Sequence, residues 1–414
     1  MEHSSDAGTD HGRAEANSRV SARVQEIQPQ QIRVMFELAS AVEAEADGDA
    51  DLVHLEFGEP DFETPENVVE AAFEAAREGE TKYTSNAGLP VLREAIAERA
   101  SAARNRPVDP DSEVIITNGG VEALHLAIHA VADPGDEVVI PTPAWPNPIS
   151  QAKLADAVPV EVPMPAEKGF APDPDRIIDA IGPETAAVML TSPSNPTGRV
   201  FSETAIERVI EAAVSHEAYV IADEVYRELA YEDIPPRAVA LTDRDEWVLS
   251  VNSTSKTYAM TGWRVGWLTG PEDVVAQLTK IHESTTSCVN TPAQYAALEA
   301  LTGPQAPFEE MHAAFRERRE FVSSRLESMP HVSVTDPEGA FYAFVDVSAL
   351  AGSSMEIAKR LLYDYGVVAA PGQAFGAGGE GHLRLSFAND RVRLETGLNR
   401  LEAMVRDELG EKSE

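Results

Sequence analysis

At 414 residues, 43% hydrophobic and 25% charged, the chain exceeds one compact core and has the composition of a soluble protein of two domains. Its net charge of −37, from 70 acidic against 33 basic residues, excludes nucleic acid and anionic membranes as partners, both of which need a basic footprint, and reads as adaptation to high salt. One cysteine, Cys288, excludes an internal disulfide and a cysteine-rich metal site; with no apolar run of about 20 residues and no secretory signal, the expected compartment is the cytoplasm and no metal is expected.

Residues 1–20 are polar and aperiodic and read as a disordered acidic tail. Helical apolar spacing from Ile32 to Ala39 predicts an arm, residues 21–50, that joins the smaller domain. Short apolar runs then alternate with helical patterns. Val114–Thr117 reads as a strand and Val121–Val131 as a helix. Glu137–Ile140 reads as a strand ending at Pro141, and Ala187–Leu190 as one ending at the turn Ser194–Gly198. Ala218–Ala222 stops at Asp223, and Trp247–Val251 stops just before Lys256. This alternation predicts a three-layer α/β/α large domain, residues 51–300, built on a mostly parallel sheet. Beyond residue 300 a charged helix, Phe308–Met329, precedes the shorter strands Val332–Val334 and Phe341–Val345. These predict a smaller α+β domain, residues 301–414.

Ligands of open α/β sheets bind beyond the carboxyl ends of the strands, and four polar segments fall at such ends. Gly119 and Gly120, between a strand and a helix, let backbone N–H groups approach an anion, although a Gly-Gly turn is more often plain turn chemistry. Lys256, one of only seven lysines, follows Ser253 and Ser255 and precedes Arg264. A lysine so placed can form a Schiff base with a carbonyl cofactor, and its neighbours can hold a phosphate; taken alone, a lysine is usually a solvated surface residue. Asp223 ends an apolar strand, where a carboxylate needs a cation such as a protonated pyridine nitrogen; an isolated Asp there is otherwise a helix cap. Ser192–Gly198 by itself is a turn.

Taken together, these segments resemble the fold-type I, class I aminotransferases, which use pyridoxal 5'-phosphate (PLP), and in particular the branch of prokaryotic aspartate and archaeal aromatic enzymes. The resemblance runs from about Ile32 to Val405. It rests on Gly58-Glu59-Pro60-Asp61-Phe62, Lys82-Tyr83-Thr84, Asn195-Pro196-Thr197-Gly198, Asp223-Glu224-Val225-Tyr226, Ser253–Arg264, Gly339–Tyr342 and Pro371–Gly376. It implies that Lys256 carries PLP and serves as acid and base for the proton shift, and that Asp223 keeps the ring nitrogen protonated. Asn195 and Tyr226 would hydrogen-bond the ring oxygen. Gly119, Gly120, Ser253, Ser255 and Arg264 would hold the phosphate, and Trp145 would stack on the ring. Arg384 would clamp the substrate α-carboxylate, with Gly58, Trp145 and Asn195 completing the substrate site. Tyr83 would reach the neighbouring subunit's phosphate, which implies a homodimer with shared sites.

The reaction so implied is amino transfer between an L-amino acid and a 2-oxo acid such as 2-oxoglutarate. A PLP-dependent carbon–sulfur lyase is the nearest rival, and a PLP-binding regulator without catalysis ranks lower because a basic DNA-binding module is absent ahead of this domain. Aspartate- or glutamate-type donors come first, with aromatic or alanine-type donors close behind. No cation stands at Val121 or Glu122, beside the phosphate loop, to meet a second substrate carboxylate.

Overall fold

The computed structural model describes residues 20–46, 50–104 and 106–410. The expected tail lies outside these, save Val20. The arm forms the helix Gln31–Glu45, whose Met35 and Ala39 are fully buried.

In chain order the strands are β1 (Val53–His54), β2 (Val114–Thr117), β3 (Glu137–Thr142), β4 (Val158–Pro163), β5 (Thr185–Thr191), β6 (Tyr219–Asp223), β7 (Val248–Ser253), β8 (Gly266–Thr269), β9 (Ser333–Thr335), β10 (Tyr342–Asp346), β11 (Val367–Val368), β12 (Ala370–Pro371) and β13 (His382–Ser386). The large sheet has seven strands in the order β2-β8-β7-β6-β5-β3-β4. β2, β7 and β8 are buried throughout, as expected of strands covered by helices on both faces. All neighbours pair in parallel except at β8, which runs against both β2 and β7. The α/β architecture with a mostly parallel sheet is therefore as the sequence pattern indicates.

Pro141 does not end its strand: β3 continues to Thr142, with Pro141 opposite Val162 of β4. Registered pairing with β5 stops at Val139, so the missing N–H of Pro141 falls where no β5 partner needs it. β8 went unread in the sequence, and its direction matters. The carboxyl ends of β2, β3, β5, β6 and β7 lie on one edge, and an antiparallel β8 begins there, with Gly266 opposite both Thr117 and Ser253. The residues just ahead of it, Arg264 included, are thereby delivered to the same edge.

The C-terminal part has an antiparallel sheet, β12-β13-β10-β9. β13 is flanked on both sides, with Arg384 opposite Phe344 and Ala370. β1 pairs in parallel with β11, tying residues 53–54 to this part of the chain. One apolar core joins Met35, Val53 and Leu55 to Phe341, Val367 and Leu401, so the arm and the β1 segment share the core of the C-terminal sheet. Among the described residues, no helix is long and apolar enough to cross a membrane.

Candidate active site

A cavity of about 450 Å³ opens at the strand-end edge, where the arm and the C-terminal sheet meet it. Its lining includes Gly58, Gly120, Trp145, Asn195, Asp223, Tyr226, Ser253, Ser255, Lys256, Arg264 and Arg384.

The anion cradle is local backbone geometry. Gly119 has φ +78°, a left-handed value that favours glycine, and caps the helix Gly120–Val131. A Cβ there would lie 2.4 Å from Nη2 of Arg264, so only glycine lets the guanidinium approach. Arg264, itself at φ +56°, donates to the carbonyls of Thr261 and Asn118. Ser253 Oγ accepts from the Ser255 N–H at 3.0 Å and lies 2.8 Å from Ser255 Oγ. Helix N–H groups, two hydroxyls and a guanidinium gathered at this edge are the kinds of donor that could hold a phosphate.

Two ionisable groups are poised by burial. Asp223 is 4% exposed, and its carboxylate accepts a hydrogen bond from the Val225 N–H at 3.3 Å. Burial pushes its pKa up to about 7, with the Val225 N–H opposing. Among the described residues no cation lies within salt-bridge distance of it, and Lys256 favours its charged form only weakly against burial. The Lys256 amine donates to the Gly58 carbonyl at 2.5 Å. Burial lowers its pKa to about 8, partly offset by Glu59. A substantial neutral fraction at neutral-to-alkaline pH is what a nucleophilic, proton-exchanging amine requires.

The opposing wall comes from the C-terminal sheet. Arg384 is 2% exposed and the largest fully buried side chain. It donates from Nη1 to Asn195 Oδ1 at 3.0 Å and from Nη2 to the Glu56 carbonyl at 2.5 Å, while Nε–H has no partner. Three of its five N–H donors are thus uncommitted, enough for a bidentate carboxylate. The guanidinium lies over the Tyr342 ring, 4.4 Å from its centroid. Tyr342 Oη is 2.8 Å from Tyr226 Oη, and burial, reinforced by Tyr342, holds the Tyr226 hydroxyl well above the usual phenol range. A Cβ on Gly58 would come within 3.1 Å of Tyr342 Oη.

Of the site residues singled out in the sequence, Gly119 and Tyr83 do not line the cavity: Gly119 packs against Arg264 at its edge, whereas Tyr83 is 89% exposed and stands apart. Tyr342, Val225 and the arm residues Gln30, Ile32, Arg33 and Phe36 line the cavity and were not anticipated. Tyr342 carried a signal in its matched motif. The arm residues offered only helical periodicity, which says nothing of what the helix faces.

A cradle for a phosphate, a buried carboxylate without a cation, an aromatic side chain and a partly deprotonated amine together fit PLP. Comparison with known proteins agrees. The profile of the family described as aminotransferase class I and II matches residues 50–401. An aspartate aminotransferase of Pyrococcus horikoshii is 37% identical over 94% of this chain and 98% of its own. An aspartate/prephenate aminotransferase of Thermus thermophilus is 41% identical over 92% and 97%. Among solved structures, the Thermus thermophilus aspartate aminotransferase with maleate superposes with a TM-score of 0.88 at 38% identity, covering 93% of this chain and 99% of that one. Thermotoga maritima aspartate aminotransferase gives 0.88 at 38% identity, over 94% and 100%.

Proposed function

Because the chain belongs to the class I and II aminotransferases, we propose that its cleft accepts L-aspartate or L-glutamate as amino donor and 2-oxoglutarate among its acceptors. The enzyme is a PLP-dependent aminotransferase, transferring the amino group to a 2-oxo acid in two half-reactions. One observation carries the assignment of roles: a single cavity is lined by an amine of lowered pKa, a buried carboxylate without a cation, and a buried guanidinium with spare donors.

PLP, when bound, supplies the electron sink that lets the substrate Cα–H bond break heterolytically. Lys256 Nζ would hold the cofactor, and its amine would take and return the proton at the substrate Cα. Asp223, once ionised, would keep the ring nitrogen protonated. Asn195 and Tyr226 would orient the ring through its oxygen, Trp145 would cover a face, and the backbone of Gly119 and Gly120 with Ser253, Ser255 and Arg264 would hold the phosphate. Arg384 orients the α-carboxylate, with Gly58 giving the substrate room.

The same reading makes the enzyme a cytoplasmic homodimer. Tyr83, so exposed in one chain, is the residue assigned to the partner's phosphate site. The large PLP-binding domain is taken as residues 51–300 and the small one as 301–414, with the arm, 21–50, and the β1 strand docked on the latter. The charge of −37 is assigned to a salt-adapted source.

The test is a single half-reaction. PLP-loaded protein in high salt is given one amino acid at a time, without any 2-oxo acid. Conversion of bound PLP to pyridoxamine phosphate, with release of the matching 2-oxo acid, is expected fastest from aspartate or glutamate. Pyruvate and ammonia from cysteine-type substrates, with no pyridoxamine phosphate, would instead establish the lyase, and failure to bind PLP would overturn the assignment.

A further inference from the structure

Among the described residues, four cations line the active-site cavity: Arg33, Lys256, Arg264 and Arg384. Three are committed. Lys256 is the amine of the reaction, Arg264 sits against Gly119 in the anion cradle, and Arg384 is the buried clamp for the α-carboxylate. A dicarboxylic substrate brings a second carboxylate into the same cavity, and the loop beside the cradle offers it only Val121 and Glu122. We propose that Arg33 is the residue that recognises the distal carboxylate of the substrate, so that donor specificity is set by the N-terminal arm. This rests on the reading of the cleft as an aminotransferase site for acidic donors.

The local structure favours this role. Arg33 lies in the first turn of the helix Gln31–Glu45, and its neighbours Gln30, Ile32 and Phe36 line the cavity with it. That first turn contains no acidic residue, and the side chain of the N-cap Gln30 donates to Asn147 Oδ1 rather than capping the helix, so the positive end of the helix is left uncompensated beside the guanidinium. In a protein with 70 acidic residues, Arg33 meets one carboxylate at salt-bridge distance among the described residues: Glu37 Oε1, at 3.4 Å. Both side chains of that pair are mostly exposed, 74% and 65%, so it is weak and readily exchanged. A substrate carboxylate held at its other end by Arg384 competes for the fork with the advantage of being tethered. Beside Arg33 and Gln30 this wall presents the apolar Ile32, Phe36 and Phe57. A monocarboxylic aromatic substrate would therefore be received there without any help from Arg33.

The experiment titrates the PLP-loaded enzyme with two unreactive acids, maleate and 3-phenylpropanoate, following bound-cofactor absorbance. In Arg33→Gln the maleate affinity should fall about 10- to 100-fold relative to 3-phenylpropanoate, the loss of one charged hydrogen-bonded contact. Arg33→Lys should recover part of the ratio. Glu37→Gln, which removes the competitor, should tighten maleate about two- to fivefold. A ratio unchanged in Arg33→Gln, or maleate binding no tighter in Glu37→Gln, overturns the proposal. A wild-type enzyme without preference for maleate overturns the acidic-donor reading itself, whereas a preference that survives Arg33→Gln overturns only the role of Arg33.

Discussion

Replacing Asp223 by asparagine should make the cofactor-free protein more stable, although it removes the anion that PLP needs. The carboxyl is 4% exposed, and burial raises its pKa from 3.8 to about 7. A raised acid holds its proton in the fold after the unfolded chain has released it. Its contribution to stability is therefore intact below pH 4 and is lost as pH rises through 7. A shift of about 3 units, at about 1.36 kcal/mol per unit, amounts to roughly 4 kcal/mol at pH 8 and less than half of that at pH 5. Asparagine is neutral, nearly isosteric, and still offers an oxygen to the Val225 N–H. With an unfolding entropy of about 2 cal/mol/K per residue, the gain corresponds to a Tm rise on the order of 4 °C at pH 8. Calorimetric scans of both cofactor-free proteins between pH 5 and 8 measure it. In the PLP-loaded pair the order should reverse, because the wild-type carboxylate then meets a cation. A cofactor-free variant no more stable than wild type at pH 8, or a difference equal at pH 5 and 8, would refute the idea that Asp223 is held for a cation.

Arg384→Lys keeps a charge but loses the fork, and should weaken α-carboxylate binding about 100-fold while PLP affinity changes little. Equal losses in parallel titrations would make Arg384 a structural residue. His54 lies 2.8 Å from Glu56 and 3.1 Å from Glu43, linking the arm helix to the β1 segment. Its hydrogen bond to Glu56 raises its pKa above 6.5 against the opposing effect of burial, so this clamp is complete below pH 6.5 and is lost as pH rises through the folded-state value. An NMR titration giving a pKa at or below 6.5 would contradict it. With 37 uncompensated negative charges, the Tm should climb between 0.1 and 2 M KCl as the screening length falls from about 10 Å to under 3 Å. A salt-independent Tm would remove the ground for salt adaptation.

The chemistry of the site was legible where it depends on strand ends. Apolar runs stopping at Thr117, at Asp223 and at Val251, just before Lys256, are visible in one dimension, and parallel packing sends such ends to one edge. What escaped depends on pairing. Tyr342 and Arg384 approach only because β10 and β13 are registered with Tyr342 opposite Ser386 and Phe344 opposite Arg384, which sets the two side chains diagonally across one face. No local pattern states that register. For the same reason the burial of Arg384 was invisible in one dimension: flanking by β10 and β12 makes it the most voluminous fully buried side chain among the described residues.

The arm is the extreme case. Its apolar spacing predicts a helix and buries Met35 and Ala39, but the period fixes only which side is apolar, not that Arg33 and Phe36 on the other side look into the cleft. That placement comes from β1 pairing with β11 and from the core shared between the arm and the C-terminal sheet. Reaction type and donor preference are thus encoded differently. The groups assigned to the cofactor sit at or just beyond strand ends, where sheet hydrogen bonding leaves little freedom. The side chains facing the substrate's far end sit on a helix attached through tertiary contacts alone, and substitution there can change what is bound without disturbing Lys256, Asp223 or the phosphate cradle.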